Sequence, residues 1–196
     1  MLKFITIKCI IMKKIAFVLL VFITTLTFSG QVKKINILKS QVTWTGKKVT
    51  GEHSGTLTFK EGSVLFKTKK ITGGTFLIDM TSLSNTDQSG DDKTKLEGHL
   101  KSPDFFDTEG FKTSKLVFKS VTEKKKNLYK IVADLTIKGK TNPVSFDLIS
   151  QGKTATADLT IDRTKYGIQY GSGSFFDDLG DRTIYDNFDL KVVLQF

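Results

Sequence analysis

A two-residue alternation of apolar and polar side chains runs through the chain from Gln41 onward, and it limits the fold more than any other feature. Successive side chains of a β-strand point to opposite faces, so each alternating segment has one apolar face. Such segments contain Val42 and Trp44, Leu57 and Phe59, Phe76 to Met80, Leu116 and Phe118, Ile131 to Ile137, Val144 to Leu148, Leu159 and Ile161, and Phe188 to Leu194. This pattern predicts an all-β domain.

Turn-type sequences separate the alternating segments at spacings typical of hairpins. They are Lys60-Glu61-Gly62, Thr72-Gly73-Gly74, Lys124 to Asn127, Lys138-Gly139-Lys140 and Gln151-Gly152-Lys153. About eight strands in hairpin order close into an antiparallel barrel or fold into a sandwich. The segment from Asp91 to Leu100 does not alternate, and it predicts a short helix capped by Asp91 or Asp92.

The first 30 residues have the composition of a signal peptide. They hold four lysines, no acidic residue and an apolar run that begins at Ile15, which is typical of export signals. The charged region is most compact if synthesis starts at Met12. The alternative is a retained membrane anchor, but the apolar run is short for a membrane span. We therefore expect a signal peptide over residues 1–30, a single domain over residues 31–196, and a periplasmic or secreted protein.

The charge and the few reactive side chains exclude several functions. The net charge of +10 includes the four lysines of the first 30 residues, which leaves 26 basic and 20 acidic residues and a net charge of +6. The lysines are scattered, so we expect no nucleic-acid partner. The only cysteine is Cys9, and the sequence predicts no cofactor.

His53 and His99 are the two histidines of the chain. A catalytic zinc site usually needs three protein ligands, so Glu52 or Glu97 would have to complete the set. Alternatively, the imidazoles bond to backbone groups where the chain bends, or one of them lines the mouth of a cavity and bonds to the head group of a ligand. The sequence leaves these interpretations open.

Twelve phenylalanines and Trp44 lie outside the first 30 residues, and many of them fall on the apolar faces. The interior of an eight-stranded barrel is just wide enough to be filled by side chains or to hold one slender ligand. Composition does not decide between a solid core and a cavity.

Six motifs appear in a recognisable order. They are Ser40 to Trp44, Gly51 to Leu57, Gly73 to Met80, His99 to Asp107, Ala133 to Val144, and Ile161 to Ile168. In these motifs the chain resembles the YceI family of polyisoprenoid- and lipid-binding proteins. One departure is the segment Phe111-Lys112-Thr113, close to where the family usually places a proline.

The resemblance implies an extended, lipocalin-like antiparallel barrel of eight strands with a short helix, which holds a chain lipid without catalysis and without a metal. The expected partner is an isoprenoid quinone, a polyprenyl or a fatty-acid-type lipid, with transient membrane contact and a homodimer as further expectations. Two alternatives are a metal-dependent hydrolase that uses His53 and His99, and a solid-core β-domain that binds protein or glycan.

We expect the apolar faces to supply the cavity wall, Phe105 and Phe106 to close one end, and His53 and His99 to form a polar mouth. The predicted wall residues are Trp44, Phe59, Phe76, Ile78, Phe118, Ile131, Leu135, Phe146 and Phe188.

Overall fold

A computed structural model describes residues 30–196; the predicted signal peptide lies almost entirely outside them. In order, the described chain forms β1 (Gln31–Lys34), β2 (Gln41–Lys48), β3 (Gly51–Lys67), β4 (Lys70–Asn85), α1 (Gly90–Lys101), β5 (Thr113–Lys125), β6 (Leu128–Ile137), β7 (Lys140–Gln151), β8 (Thr154–Asp162) and β9 (Ile184–Gln195). Two short 3₁₀ helices, Arg163–Tyr166 and Gly180–Arg182, lie between β8 and β9.

Strands β2 to β9 each pair with the next strand in antiparallel fashion, and β9 pairs with β2, which closes an eight-stranded barrel. This confirms the predicted all-β antiparallel barrel with a short helix. The additional strand β1 was not predicted. It pairs with Ser63 to Phe66 of β3, beyond the part of β3 that pairs with β2.

Three of the five predicted turns are confirmed. They lie between β5 and β6, between β6 and β7, and between β7 and β8, and each contains a residue with positive φ: Asn127, Lys138 with Gly139, and Gly152. The other two predictions are wrong, because Lys60-Glu61-Gly62 lies inside β3 and Thr72-Gly73-Gly74 lies inside β4. Thr68 and Lys69 form the turn that joins these two strands, with φ values of 49° and 67°.

Packing around the ring of Phe76 explains two of the glycines inside these strands, Gly62 of β3 and Gly74 of β4. A Cβ atom on Gly62 would lie 2.8 Å from Cδ1 of Phe76. On Gly74, a Cβ would lie 3.0 Å from the ring of Phe118 and 3.1 Å from the ring of Phe76. Glycine inside a strand often marks such a close approach, and in a sequence it looks the same as a turn glycine.

Helix α1 covers one end of the barrel, which we call the helix end. The helix follows Ser89, so the predicted caps Asp91 and Asp92 lie in its first turn, where negative charge favours the helix dipole. The Glu97 side chain joins α1 to the end of β4, since its Oε1 accepts hydrogen bonds from Asn85 N at 2.7 Å and from Ser84 Oγ at 2.9 Å. In the described part of the chain, no helix is long and apolar enough to cross a membrane.

The opposite end, which we call the turn end, is formed by the tight turns that follow β3, β5 and β7. Its interior is filled by almost completely buried side chains: Val64, Ile71, Tyr129, Ile131 and Ala155. The rings of Phe66 and Phe196 pack edge to face beside them, with centroids 5.8 Å apart. These side chains form a solid core at the turn end.

Candidate functional site

The barrel interior contains an apolar cavity of about 370 Å³ that extends to the helix end. Its volume is within the usual range of small-molecule sites. The wall is formed mainly by aliphatic and aromatic side chains from the inner faces of the strands, together with Leu96, His99 and Leu100 of α1. The arrangement suits a slender apolar ligand that enters near the helix.

A layer of phenylalanine rings forms the floor of the cavity, and we call it the aromatic floor. Its members are Phe59, Phe76, Phe118 and Phe146. The ring centroids of Phe59 and Phe76 are 6.1 Å apart, those of Phe76 and Phe118 are 5.6 Å apart, and those of Phe118 and Phe146 are 6.1 Å apart. Aromatic pairs favour such tilted and edge-to-face contacts. The cavity extends from this layer to the helix end, and on the side of β7 and β9 it also reaches Leu148 and Leu194. Buried side chains fill the barrel at the turn end.

Ten of the eleven apolar residues predicted for the site lie on the cavity wall. They are Trp44, Phe59, Phe76, Ile78, Phe105, Phe106, Phe118, Leu135, Phe146 and Phe188. Ile131 does not border the cavity, since it is completely buried in the core of the turn end. Alternation identified its face correctly, but alternation does not give the depth at which a side chain lies along the barrel. That these residues contact a ligand remains a prediction.

The cavity wall also contains residues that are not among the predicted wall residues. Leu57, Leu159 and Ser114 lie on strands, and the alternation that placed Leu116 and Phe118 on one face also places Ser114 there. Arg163 and Tyr170 reach the cavity from the segment between β8 and β9, where the sequence has no periodic signal.

His53 lies at the cavity mouth, where Asp87 holds its ring. The distance from His53 Nδ1 to Asp87 Oδ2 is 2.9 Å, and Ser54 N donates to Asp87 Oδ1 at 2.8 Å. Burial opposes ionisation of Asp87, but the hydrogen bonds from His53, Ser54 and Asn85 outweigh it and lower the pKa of this carboxyl. When neutral His53 donates from Nδ1 to Asp87, its Nε2 is left as a hydrogen-bond acceptor.

His99 borders the same cavity in a different environment. Its ring centroid lies 4.4 Å from that of Tyr170 and 5.5 Å from that of Phe105. Its Nε2 is buried and has no hydrogen-bond partner among the described residues. Both predicted mouth residues therefore border the cavity, but only His53 is oriented by a carboxylate.

The residues that the hydrolase alternative would need as metal ligands do not form a cluster. Within residues 30–196, no group of three or more His, Cys, Asp or Glu side chains is placed to hold a metal ion. His53 is paired with Asp87, and Glu97 accepts hydrogen bonds from Ser84 and Asn85.

Arg163 is a buried cation that fixes the chain segment beside the cavity mouth. Its guanidinium donates to the carbonyl oxygens of Ile168, Ile184 and Tyr185 at 3.0, 2.9 and 3.1 Å. It also lies over the ring of Phe105, 5.5 Å from the centroid. Burial lowers the pKa of Arg163, although nearby carboxylates oppose this shift. The carbonyl contacts indicate a structural role, because they occupy donors that could otherwise bind an anionic ligand.

Comparison with known proteins identifies a family whose model matches this chain. A family model described as the YceI-like domain matches residues 25–196. A UPF0312 protein of Staphylococcus aureus strain USA300 is 42% identical over 85 residues, which cover 38% of this chain and 47% of that protein. The chain thus matches about half the length of this relative.

Several solved structures have a similar fold. BcnA of Burkholderia cenocepacia superposes with a TM-score of 0.66 at 22% identity, over 82% of this chain and 98% of BcnA. A polyisoprenoid binding domain from Saccharophagus degradans gives a TM-score of 0.55 at 14% identity, over 85% of this chain and 97% of that domain. A YceI protein of Campylobacter jejuni gives 0.53 at 16% identity, over 70% and 81% of the two chains. At these identities the similarity shows the fold alone.

Proposed function

The chain belongs to the YceI-like domain family, and on this basis we propose that it binds a long-chain isoprenoid or fatty amphiphile inside its barrel, without catalysing a reaction. The family and the barrel fold support a binding function in general. The observation that carries the proposed ligand class is the cavity above the aromatic floor, whose wall is almost entirely apolar. The polyisoprenoid binding domain among the similar structures supports the same class.

The apolar wall accounts for affinity without many polar contacts. Burial of a methylene group contributes ~0.8 kcal/mol, so a segment of about ten methylenes would contribute roughly 8 kcal/mol before the costs of ordering. Binding by this mechanism depends mainly on the length and width of the chain. An isoprenoid quinone, a polyprenyl and a fatty-acid-type lipid would then compete for one cavity.

We further propose that the protein is exported and collects its ligand during transient contact with a membrane. Export rests on the lysines and the apolar run of the first 30 residues. Membrane contact is supported by Phe175 and Phe176, which are half exposed on the segment between β8 and β9, since phenylalanine is among the residues that peripheral proteins bury at the boundary between headgroups and acyl chains. A homodimer stays a prediction that light scattering of the purified protein can test.

The direct test of ligand binding is mass spectrometry of an organic extract of the purified protein. A second measurement uses Trp44, the only tryptophan of the chain, which lies on the cavity wall. We expect a co-purifying chain lipid, and we expect brominated fatty acids to quench Trp44 fluorescence with saturation. A protein that contains no lipid and shows no saturable quenching would contradict the proposal.

A pair of variants on β8 tests whether binding occurs inside the barrel. Ala157 borders the cavity, whereas its neighbour Thr156 faces outward and is exposed. The phenyl group in Ala157→Phe would occupy ligand space, so we expect it to abolish the increase in Tm that chain lipids produce in the wild type. That increase corresponds to about 2.7 kcal/mol at a ligand concentration of 100 times Kd. Thr156→Phe is the matched control and should keep it.

A further inference from the structure

We infer that the ligand carries a hydrogen-bond-accepting oxygen and that this oxygen lies inside the barrel near the helix end, where it accepts from Trp44 Nε1. This inference rests on the proposed function and makes it more specific. It separates chain lipids that carry a carbonyl, carboxyl or hydroxyl oxygen from plain hydrocarbons, and it fixes the direction in which the chain lies.

Two polar side chains in the cavity wall that have no hydrogen-bond partner within the described chain are the evidence for this oxygen. Trp44 and Ser114 are 8% and 6% exposed, and both border the cavity. Trp44 Nε1 and Ser114 Oγ are buried and have no hydrogen-bond partner among the described residues. Buried polar groups in proteins are almost always hydrogen-bonded, so each such exception calls for an explanation. A ligand oxygen between the apolar walls would supply it.

The position of the Trp44 indole is fixed by Gly55. A Cβ atom at Gly55 would lie 2.6 Å from Trp44 Cζ2 and 2.7 Å from Cε2, so the six-membered ring lies directly against the glycine backbone. Because Cε2 is bonded to Nε1, this contact also restricts the position of the N–H group of a residue that borders the cavity. The indole nitrogen can only donate, and its partner must therefore be an acceptor. A hydrocarbon chain offers none.

The unpartnered groups all lie toward the helix end. Trp44 pairs with Leu190, and the next inward-facing pair toward the helix end is Gly46 with Phe188. Ser114 is the second residue of β5, and its neighbour Lys115 pairs with Thr136 near the end of β6. His99, whose Nε2 is also unpartnered, belongs to α1. At the opposite side of the cavity lies the aromatic floor. The ligand oxygen therefore lies near α1, and the hydrocarbon chain extends toward the floor.

A comparison of two matched probes tests the inference. Dodecane and 2-dodecanone have equal chain length and differ in one carbonyl oxygen. Both are titrated into wild-type protein, Trp44→Phe and Ser114→Ala by displacement of a fluorescent fatty-acid probe. Ser120→Ala serves as the control, because Ser120 is an exposed serine on the same strand.

We expect Trp44→Phe to weaken binding of the ketone about tenfold more than binding of the alkane, because the loss of a buried hydrogen bond changes affinity by this order. Ser114→Ala should also weaken the ketone selectively, and Ser120→Ala should affect neither probe. Equal losses for both probes in Trp44→Phe would overturn the inference and leave lipid binding intact. If neither probe binds wild-type protein, the proposed function itself is wrong.

Discussion

Gly73 and Gly74 are adjacent residues of β4 that should respond in opposite ways to the same substitution. Neither has a positive φ, so alanine fits the backbone at both positions. At Gly74 the new methyl group would lie 3.0 Å from the ring of Phe118 and 3.1 Å from that of Phe76. At Gly73 the nearest atom would be Leu65 Cβ at 3.5 Å, an ordinary contact. Gly74→Ala therefore presses on the aromatic floor, and Gly73→Ala does not.

The expected magnitudes follow from these contacts. Overpacking of a core costs about 1–3 kcal/mol, while replacing glycine by alanine at a compatible position stabilises by about 0.4–1 kcal/mol through the unfolded chain. We therefore expect Gly74→Ala to lower the free energy of unfolding by about 1–2 kcal/mol and Gly73→Ala to leave it unchanged or raise it slightly. For a domain of this size, the Tm values of the two variants should differ by roughly 4–8 °C.

Urea unfolding of both variants, followed by Trp44 fluorescence and circular dichroism, measures the difference. An unchanged m value would show that the shift in midpoint reflects stability. Equal free energies of unfolding for the two variants would refute the packing explanation for Gly74. Gly74→Ala should also reduce the affinity for the longest chain lipids that bind wild-type protein, since displaced rings would make the cavity shallower.

Three further predictions concern the turn end, the mouth and the helix. Replacing Thr68-Lys69 by Asn-Gly should stabilise the protein by about 0.5–1 kcal/mol in urea unfolding, because both positions have positive φ and this pair favours such turns; a loss of stability would contradict the assigned turn. Arg163→Met should cost about 3 kcal/mol or more, since three carbonyl oxygens lose their donor; a change below 1 kcal/mol would contradict the structural role of Arg163. Burial opposes ionisation of Glu97, but hydrogen bonds from Asn85 and Ser84 lower its pKa below the ordinary 4.5. The ionised Glu97 side chain therefore contributes fully to the free energy of unfolding above that ordinary value, and the contribution is lost as the pH falls through the lowered pKa. Glu97→Gln should therefore reduce the acid-induced loss of stability, and a stability profile with the same pH dependence as the wild type would contradict this.

The sequence predicted the strands and the face of each cavity residue well, because burial on one side of a sheet imposes a strict two-residue period. It did not predict depth. Ile131 and Leu135 share an inner face of β6, yet only Leu135 borders the cavity, and nothing in the alternation separates them. The structural role of a glycine was ambiguous for a physical reason. At Gly74 the absence of a side chain leaves room for the neighbouring rings, whereas at Gly139 it allows a positive φ. Arg163 and Tyr170 reach the site from irregular backbone, which has no period to follow.

The aromatic floor has a kinetic consequence. A compartment that is solid below this layer cannot pass a chain from one end of the barrel to the other, so loading and unloading share a single route at the helix end. The residence time of the cargo should then depend on how often α1 and the segment held by Arg163 open, more than on total contact area. A lipid chain longer than the compartment must leave its remainder outside, so the depth of the aromatic floor sets the length of chain that the barrel can enclose.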